Sequence, residues 1–425
     1  MSFDVIVIGA GSAGITAAFH IAKAGNKVLL VDKAEEKEIG RGLGGGVVKI
    51  HAFSGAGFPR PQGDELVSYI ETFNIYSPTA KTKKTVNYSS MIIDKYLMTQ
   101  RLLGYAKEQG VTVLAGKELK LLNVQDDKVT GITTTDQQSF DAKLVIDASG
   151  VNSLARRTLP DSFKIEKEID NKHIARGYLE MLPKVEDTNY LNSYLAVSDG
   201  YIWKTATEIG FGSLDHSIDL KARLHAFIDE HIHLKTDSSR SYYGTIPIRQ
   251  NLYNMVGNGY LAVGDSACMI SPIEGAGITT SMAGAKIAAD VVNKCLSRND
   301  LSENALWSFN LEYNKTQGSQ LAYMDMLRRG VIGLSPDDID FAFKQDVIMD
   351  KDVLDSITGD IANVSTMDKA SRVFRGIRRP GILLRMENCM SKSKDLKNHY
   401  LNYPTNISGL DEWVKKLNTI NNSFS

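Results

Sequence analysis

Residues 4–32 read DVIVIGAGSAGITAAFHIAKAGNKVLLVD, and this stretch decides the fold. The opening DVIVI is a continuous apolar run of the kind that forms a buried strand in a parallel sheet. A glycine-rich turn follows it, then a helical pattern that ends near Gly25, then a second buried strand, KVLLV. Strand, helix and strand in this order predict a βαβ unit, and therefore an α/β fold with a Rossmann-like domain.

The glycines of the turn have the spacing Gly-x-Gly-x-x-Gly, which is typical of dinucleotide binding. The first permits the tight turn, the second lets backbone approach a pyrophosphate, and the third lets the helix pack closely on the strand. The helix N-terminus offers free N–H groups to phosphates, and an acidic residue after the second strand can bind a ribose. The predicted contacts are Gly9, Gly11, Ser12, Ala13, Gly14, Asp32 and Lys33. This unit alone leaves FAD and NAD open.

The composition of the 425-residue chain narrows the function classes. A net charge of −1 argues against general nucleic-acid binding, which normally needs a basic excess. The three cysteines, Cys268, Cys295 and Cys389, lie far apart, so we expect neither a disulfide framework nor a zinc site. His231 and His233 lack a third spaced ligand, and we predict no metal. Because no apolar run approaches the roughly 20 residues of a membrane span, we expect a cytoplasmic protein, with contact at the inner membrane face left open.

A second set of motifs lies about 250 residues further along the chain. Residues 260–263 form a strand that runs into Gly264-Asp265, and a helix of small residues opens after Gly275-Ala276-Gly277. An Asp at the end of a strand can bind a ribityl hydroxyl, and the N–H groups of a helix start can stabilise negative charge on a reduced flavin. The predicted contacts here are Gly264, Asp265, Pro272, Gly275, Gly277 and Ile278.

This Gly-Asp, Pro, Gly-x-Gly order resembles the second FAD motif of the p-hydroxybenzoate hydroxylase-like flavoproteins. The segment VIDASG at 145–150 is similar to the ADG strand of that group, and Gln100-Arg101 stands where the group has a cofactor-contacting helix. The resemblance implies FAD as the cofactor and adds Arg101, Asp147 and Gly150 to its predicted contacts. A second dinucleotide fingerprint is absent from the sequence, so we expect no separate NADPH domain.

Over nearly its whole length the chain resembles the geranylgeranyl reductases, in particular the archaeal kind that saturates isoprenoid chains of membrane lipids. The matching segments are 39–63, GYIW at 200–203, GFG at 210–212, 243–247 with Arg249, ALWSFNLEYN, LSPDDIDFAF and YLNYP at 400–404. The resemblance implies an FAD-dependent reductase of C=C bonds in prenyl chains. Its substrate would be an archaeal membrane-lipid precursor, geranylgeranyl diphosphate or a prenylquinone. The electron donor would be external, either NAD(P)H or ferredoxin-type.

Two departures from the family pattern fall in the reacting region. The first is in GRGLGGG at 40–46, whose glycines we interpret as positions where backbone approaches the cofactor. Gly44, followed by Gly45, stands where archaeal members usually carry Cys-Gly, and both are predicted cofactor contacts. The second is Thr205-Ala206, which replaces Phe-Pro. The resemblance therefore carries the fold and the cofactor further than it carries the exact substrate.

A long prenyl chain needs an apolar tunnel, and the reaction needs a proton as well as a hydride. The alternating segment at about 161–244 predicts an antiparallel sheet whose apolar face could form the tunnel floor. We expect Tyr201, Trp203 and Phe211 to line it, with packing in the core or an edge strand as the alternative. The candidate catalytic residues are His51, Lys49 and Glu274. A purely structural histidine is an equally good interpretation of the first.

The predicted organisation is an α/β fold, α+β overall, in three parts. Residues 1–53, 94–160 and 245–296 form the Rossmann-like FAD-binding domain, 54–93 and 161–244 the antiparallel-sheet substrate domain, and 297–425 a mostly helical region. Basic and apolar residues alternate at 372–397, which predicts either docking on anionic headgroups or substrate phosphate, or a solvated helix pair. Two rival functions stay open: a flavin monooxygenase or halogenase of the same fold, and a non-enzymatic flavin protein that binds prenyl lipid.

Overall fold

The N-terminal βαβ unit is present as the sequence predicts in the computed structural model, which describes residues 2–44, 46–195, 200–359 and 366–424, with 366–370 as backbone only. The strands in these ranges are β1 Ser2–Ile8, β2 Val28–Val31, β3 Val47–Lys49, β4 Leu66–Tyr76, β5 Lys83–Ile93, β6 Thr112–Leu114, β7 Leu119–Gln125, β8 Lys128–Thr134, β9 Ser139–Asp147, β10 Ile174–Met181, β11 Tyr190–Leu195, β12 Gly200–Lys204, β13 Glu208–Ser213, β14 Asp237–Pro247, β15 Val256–Gly257 and β16 Tyr260–Ala262. The helices are α1 Ser12–Lys23, α2 Ala52–Gly55, α3 Lys95–Glu108, α4 Leu154–Arg157, α5 Leu220–Phe227, α6 Ile278–Ser297, α7 Glu303–Tyr313, α8 Ser319–Ile332, α9 Pro336–Lys344, α10 Asp350–Thr358, α11 Thr366–Gly376, α12 Pro380–Leu401 and α13 Leu410–Asn422.

The first sheet has the order β15-β16-β9-β1-β2-β6, and the β7–β8 hairpin extends it from β9. β1 pairs in parallel with β2 on one side and with β9 on the other. The central strand β1 is apolar along most of its length, and Val5, Ile6 and Val7 are fully buried, as is typical of a parallel strand covered on both faces. α1 packs between α3 and α6 and so fixes the start of the glycine turn against the rest of this layer.

The second sheet has the order β14-β10-β13-β12-β11-β4-β5-β3. Its neighbours are antiparallel, as predicted, apart from one pair: β4 and β11 run parallel, with Tyr190 opposite Thr72 and Tyr194 opposite Tyr76. The two strands of that pair come from chain segments more than 100 residues apart, so the alternation within each strand does not reveal their relative direction. The division into domains stays a prediction.

The two faces of the second sheet pack against different helices. Ile202, Phe211 and Phe227 belong to a core between the sheet and α5. Phe73 and Tyr88 belong to another core, on the opposite face, that also contains residues of α9, α10 and α12. Successive side chains of a strand point to opposite faces, so β11 contributes Leu191 to one core and Tyr194 to the other.

The C-terminal helices form a layer in which α8 and α12 pack along each other. A Cβ added to Gly330 of α8 would lie 2.3 Å from the Cys389 sulfur of α12, so glycine permits this close contact. Cys268, Cys295 and Cys389 are all buried free thiols. Within the described ranges, none of the helices is both long enough and apolar enough to cross a bilayer.

Candidate flavin and substrate site

The glycine turn after β1 has the geometry of a phosphate-binding loop. Gly9 has φ +100°, and a Cβ there would lie 2.4 Å from the Ala148 carbonyl oxygen, so no other residue fits. A Cβ on Gly14 would lie 1.8 Å from the Gly9 carbonyl oxygen. By contrast, a Cβ on exposed Gly11 would meet nothing within 4 Å. Gly11 begins α1 with no side-chain cap and no acid in the first turn, so the helix N-terminus faces open space that an anion can enter.

Asp32 holds this loop in place. Its carboxylate accepts hydrogen bonds from the backbone N–H of Ala10 at 2.6 Å and of Ala34 at 2.8 Å. Asp32 is half-buried and each carboxylate oxygen can accept more than one bond, so capacity for a ribose hydroxyl remains. Lys33 beside it is exposed.

Asp147 and Arg101, two predicted cofactor contacts, are engaged with protein groups. Asp147 is fully buried, and its carboxylate accepts bonds from the hydroxyls of Ser149, Ser153 and Tyr260 and from the Ser149 N–H. The Arg101 guanidinium makes a bidentate ion pair with the buried Glu65 carboxylate, at 2.5 and 2.8 Å. These contacts tie the end of β9 to β16, and α3 to the segment before β4. Both residues therefore shape the site, whatever else they contact.

The open glycine next to Asp147 is Gly150, with φ +92° and nothing within 4 Å of an added Cβ. Gly264 in the second motif has no space for a side chain, since an added Cβ would lie 2.8 Å from the Cβ of Ala13. The two cofactor motifs thus touch each other at Ala13 and Gly264. Their sequence separation hides this contact.

Asp265 is the acidic group of the site that lacks a partner. Among the described residues, none donates a hydrogen bond to its carboxylate, and burial raises its pKa to about 6 although Lys95 lowers it. Lys95 was not predicted as a site residue. Burial lowers the pKa of its ammonium group, which donates to the carbonyl oxygens of Leu43 at 2.7 Å and Gly42 at 3.4 Å. An unpaired carboxylate at the end of a strand is the group that a polyol hydroxyl would satisfy.

The helix that opens after the second motif presents a second free N-terminus. Gly277 precedes α6, which has neither a side-chain cap nor an acid in its first turn. Gly275 has φ +66°, and a Cβ on it would lie 2.4 Å from the Tyr201 hydroxyl. Pro272 is buried, and Ile278 begins the helix half-buried. Backbone N–H groups at this position can stabilise an anion.

The glycine loop at 40–46 lies against the second sheet. Leu43 packs on Gly177 and Gly244, where added Cβ atoms would lie 2.7 and 2.6 Å from its side chain. Gly44 is exposed with φ +146°, and a Cβ there would lie 3.1 Å from the Lys95 ammonium nitrogen. Gly45, a predicted contact, lies outside the described residues. The loop is thus placed by Leu43 on one side and by Lys95 on the other.

A largely apolar cavity of about 450 Å³ runs between the second sheet and helices α8, α9, α10 and α12. One part of its wall consists of the glycine loop and the start of α6, including Gly44, Gly46, Gly275 and Gly277. The rest of the wall includes Phe73, Leu191, Leu327, Phe343, Val353 and Met386. The cavity therefore connects the predicted flavin contacts with an extended apolar space.

A polar cluster interrupts this wall beside the glycine motifs. Glu274 accepts hydrogen bonds from the Lys49 ammonium, at 3.0 Å, and from the Tyr88 hydroxyl. The Lys49 nitrogen also lies 3.7 Å from the centre of the Tyr88 ring. Burial, with the neighbouring Glu274 charge, raises the pKa of Tyr88 well above its ordinary value. Tyr88, Glu274 and Tyr201 all line the cavity, and Tyr201 donates to the Glu274 carbonyl oxygen at 2.7 Å.

The structure separates the predicted substrate and catalytic residues. Tyr201 and Trp203 lie on the cavity wall, and the Trp203 indole donates to Glu208 at 2.8 Å. Phe211 is fully buried on the opposite face of the sheet, in the core beneath α5, so the prediction that it lines the tunnel is wrong. Alternation explains this, because Gly210 faces Trp203 and its neighbour must point away. His51 is exposed at the start of α2, outside the cavity wall.

The site offers groups that suit the parts of FAD. They are two free helix N-termini, the open Cβ positions of Gly11 and Gly150, and the unpaired Asp265 carboxylate. The residues fit a dinucleotide with a polyol chain. No group of three or more metal-ligating side chains occurs in the part of the chain that the structure describes. The His231 ring packs against Phe227, with the ring centroids 4.7 Å apart and the planes tilted by 50°.

The family described as FAD dependent oxidoreductase matches residues 4–158. A digeranylgeranylglycerophospholipid reductase from Sulfolobus acidocaldarius is 29% identical over 448 aligned positions, which cover 100% of this chain and 98% of that protein. One from Methanococcoides burtonii is 24% identical and covers 80% of this chain and 86% of its own.

Solved structures agree on the fold. A geranylgeranyl bacteriochlorophyll reductase-like protein from Thermoplasma acidophilum superposes with a TM-score of 0.76 at 21% identity, covering 91% of this chain and 99% of that one. A flavin-dependent brominase gives a TM-score of 0.64 at 16% identity, covering 90% and 99%. The protein is an FAD-dependent oxidoreductase of the p-hydroxybenzoate hydroxylase type of fold, and it resembles the geranylgeranyl reductases along its whole length.

Proposed function

We propose that this protein reduces C=C bonds of geranylgeranyl or longer prenyl chains with FAD as its cofactor. The observation that carries the proposal is the apolar cavity, which begins at the glycines predicted to contact the flavin and continues between the second sheet and the C-terminal helices. An apolar space fits an isoprenoid chain and keeps water away from an alkene that is a poor hydride acceptor. The names of the similar archaeal proteins support the same substrate class.

Each predicted cofactor contact has a role at a particular part of FAD or in the segments around it. The turn at Gly9–Gly14 and the start of α1 would hold the pyrophosphate, Asp32 the ribose and Asp265 the ribityl chain. The start of α6 would stabilise negative charge on the ring, and reduced FAD would supply the hydride. Asp147 and Arg101 keep the surrounding segments in position.

We assign the proton to the cluster of Tyr88, Glu274 and Lys49. Tyr88 lines the cavity wall and is protonated near neutral pH, since its pKa lies well above an ordinary value that is itself far above 7. Lys49 and Glu274 orient that hydroxyl and can replace the proton once it has moved to the substrate carbon. The Tyr201 hydroxyl positions the Glu274 backbone through a hydrogen bond to its carbonyl oxygen. His51, exposed beyond the wall, has no part in this assignment.

The decisive experiment is anaerobic. The bound flavin is reduced chemically, geranylgeranyl diphosphate or an unsaturated archaeal-type ether lipid is added, and mass spectrometry follows the product. We expect two hydrogens gained per saturated bond, together with flavin reoxidation. Lipid binding without reoxidation would favour a lipid-binding protein instead. A hydroxylated or halogenated product formed only in oxygen would favour the monooxygenase or halogenase alternative.

The proton assignment has its own test. Tyr88→Phe and Glu274→Gln should slow lipid-dependent flavin reoxidation by about 10²-fold or more, since general acids contribute about 10²–10⁴-fold, while FAD affinity stays unchanged. The matched control is Tyr178→Phe, because Tyr178 is also a buried tyrosine bonded to a carboxylate but lies on the opposite face of the same sheet. Equal rates for Tyr88→Phe and Tyr178→Phe would refute the assignment.

The reducing equivalents and the place of the reaction are further parts of the proposal. The sequence contains one dinucleotide fingerprint, so we propose an external donor, NAD(P)H or a ferredoxin-type protein. A prenyl-lipid substrate implies work at the cytoplasmic surface of a membrane, as a peripheral protein. Measuring which donor reduces the flavin under nitrogen, and at what rate, tests the first of these statements.

A further inference from the structure

Four large apolar side chains are exposed together at the junction of α11 and α12. Val373, Phe374, Ile377 and Leu384 are 56%, 80%, 67% and 68% exposed. Single exposed apolar residues are common on protein surfaces, but four large ones within twelve positions of the chain are a concentration typical of a site of interaction. We call these four residues the apolar patch.

Contacts with neighbouring helices hold the apolar patch in place. α11 and α12 contact each other at Gly376, where an added Cβ would lie 2.8 Å from the Leu383 side chain. Arg372 is paired with Asp352 of α10 at 2.8 Å, and Arg379 with Asp338 of α9 at 2.5 Å. These ion pairs fix the junction on the helices beneath it, so the patch is turned outward by the packing of the whole layer.

The surroundings of the patch are basic. Between Arg372 and Lys394 the sequence has seven basic residues and one acidic residue, Glu387. Arg375 and Arg378 flank the exposed apolar residues and are themselves exposed. Arg375 lies 3.9 Å from Asp346, a weak pairing, and no acidic partner of Arg378 occurs among the described residues. Apolar side chains with flanking arginines complement an anionic lipid surface, where the former insert and the latter meet phosphates.

The helix layer that carries the patch also forms part of the cavity wall. Met386 and Met390 line the cavity from α12, the helix that bears Leu384, and Asp352 and Val353 line it from α10, which is paired with Arg372. We propose that the apolar patch docks this protein on the anionic surface of a lipid bilayer, next to the helices between which a lipid chain reaches the flavin. The docking itself stands on the patch, and its purpose rests on the proposed function.

The test is co-sedimentation of the FAD-loaded protein with vesicles of phosphatidylcholine, with and without 30% phosphatidylglycerol. We expect binding to the anionic vesicles that weakens as salt is raised. The variant Phe374→Ser/Ile377→Ser/Leu384→Ser should lower the partition coefficient by more than about tenfold. Arg378→Ala should lower it about fivefold on anionic vesicles and leave neutral ones unchanged. The control Tyr69→Ser/Val185→Ser removes two apolar residues elsewhere that are 54% and 57% exposed, and it should have no effect.

Absence of vesicle binding by the wild-type protein would overturn the proposal, as would equal losses in the patch variant and the control. Sedimentation velocity covers a second occupant: a wild-type dimer that the patch variant converts to monomer would assign the surface to another copy of the chain. Sedimentation needs no turnover, so vesicle binding without prenyl reduction would refute the proposed function alone. Reduction of a detergent-dispersed substrate without vesicle binding would refute the docking alone.

Discussion

Replacing Asp265 by Asn tests the assumption that its unpaired carboxylate binds the cofactor. Burial raises the pKa of Asp265 from 3.8 to about 6. A shift of about two units corresponds to at most about 3 kcal/mol, by which the charged form destabilises the folded protein before FAD binds. The residue is partly accessible to solvent, so we expect about 1–3 kcal/mol.

The sign of the pH dependence follows from the direction of the shift. Because the pKa of this acid is higher in the folded state, the protein is not penalised below about pH 4 and loses stability as pH rises through about 6. In flavin-free protein, Asp265→Asn should therefore raise the free energy of unfolding at pH 8 and change it little at pH 4. Urea denaturation at both pH values measures this difference.

FAD binding should respond in the opposite direction. A hydrogen bond to a charged acceptor is roughly twice as strong as one to a neutral acceptor, so Asp265→Asn should weaken FAD binding by about 1 kcal/mol or about fivefold. Quenching of flavin fluorescence gives the dissociation constant. The matched control is Asp147→Asn, which breaks a saturated set of bonds and should destabilise the flavin-free protein at both pH values. An Asp265→Asn variant that is less stable at pH 8, or binds FAD as tightly as before, would refute the reasoning.

Two further substitutions probe the cavity wall. Gly44→Cys and its control Gly44→Ala both place a Cβ about 3.1 Å from the Lys95 nitrogen at φ +146°, so both should lose about 1–3 kcal/mol in denaturant unfolding. If a thiol matters to the chemistry, Gly44→Cys alone should change the rate or extent of prenyl reduction, and identical variants would remove Gly44 from the reaction. Gly210→Ala places a Cβ 2.2 Å from the Trp203 ring, and we expect a loss of about 1–3 kcal/mol with weaker lipid binding. Gly104→Ala, which meets no atom within 4 Å, should be neutral or stabilising, and an equal loss there would contradict the steric argument.

The parts of the fold that the sequence predicts well are local. The N-terminal βαβ unit needs only 29 consecutive residues, and each of its glycines has a distinct backbone reason that spacing alone reveals. The start of α6 is predicted for the same reason. Asp147 could not be assigned in this way, because one of its partners, Tyr260, lies 113 residues away. Arg101 likewise pairs with Glu65, which no motif connects to it.

The residues missed by sequence reasoning share that property. Tyr88 stands at an inward position of an alternating strand, which predicts burial, but its partner Glu274 is 186 residues away and belongs to the other motif. Lys95 begins a helix, a position typical of exposed residues, and is half-buried because its ammonium group donates to the backbone of the glycine loop. Phe211 is different, since it lies between Gly210 and Gly212 and strand alternation alone places its side chain on the face opposite to Trp203.

The shape of the cavity wall depends on three glycines that are not predicted cofactor contacts. Gly177, Gly244 and Gly210 lie on the second sheet, and added Cβ atoms there would overlap Leu43 or Trp203. Each glycine leaves a depression on the face of the sheet, and a large side chain fills it. The glycine loop at 40–46 and the Trp203 indole can therefore lie close against the strands. A glycine within a strand destabilises that strand, and the second sheet has glycines at these three positions next to the cavity wall. The wall is therefore specified by pairs, glycine with leucine and glycine with tryptophan, and a substitution that alters chain selectivity should change both members of a pair together.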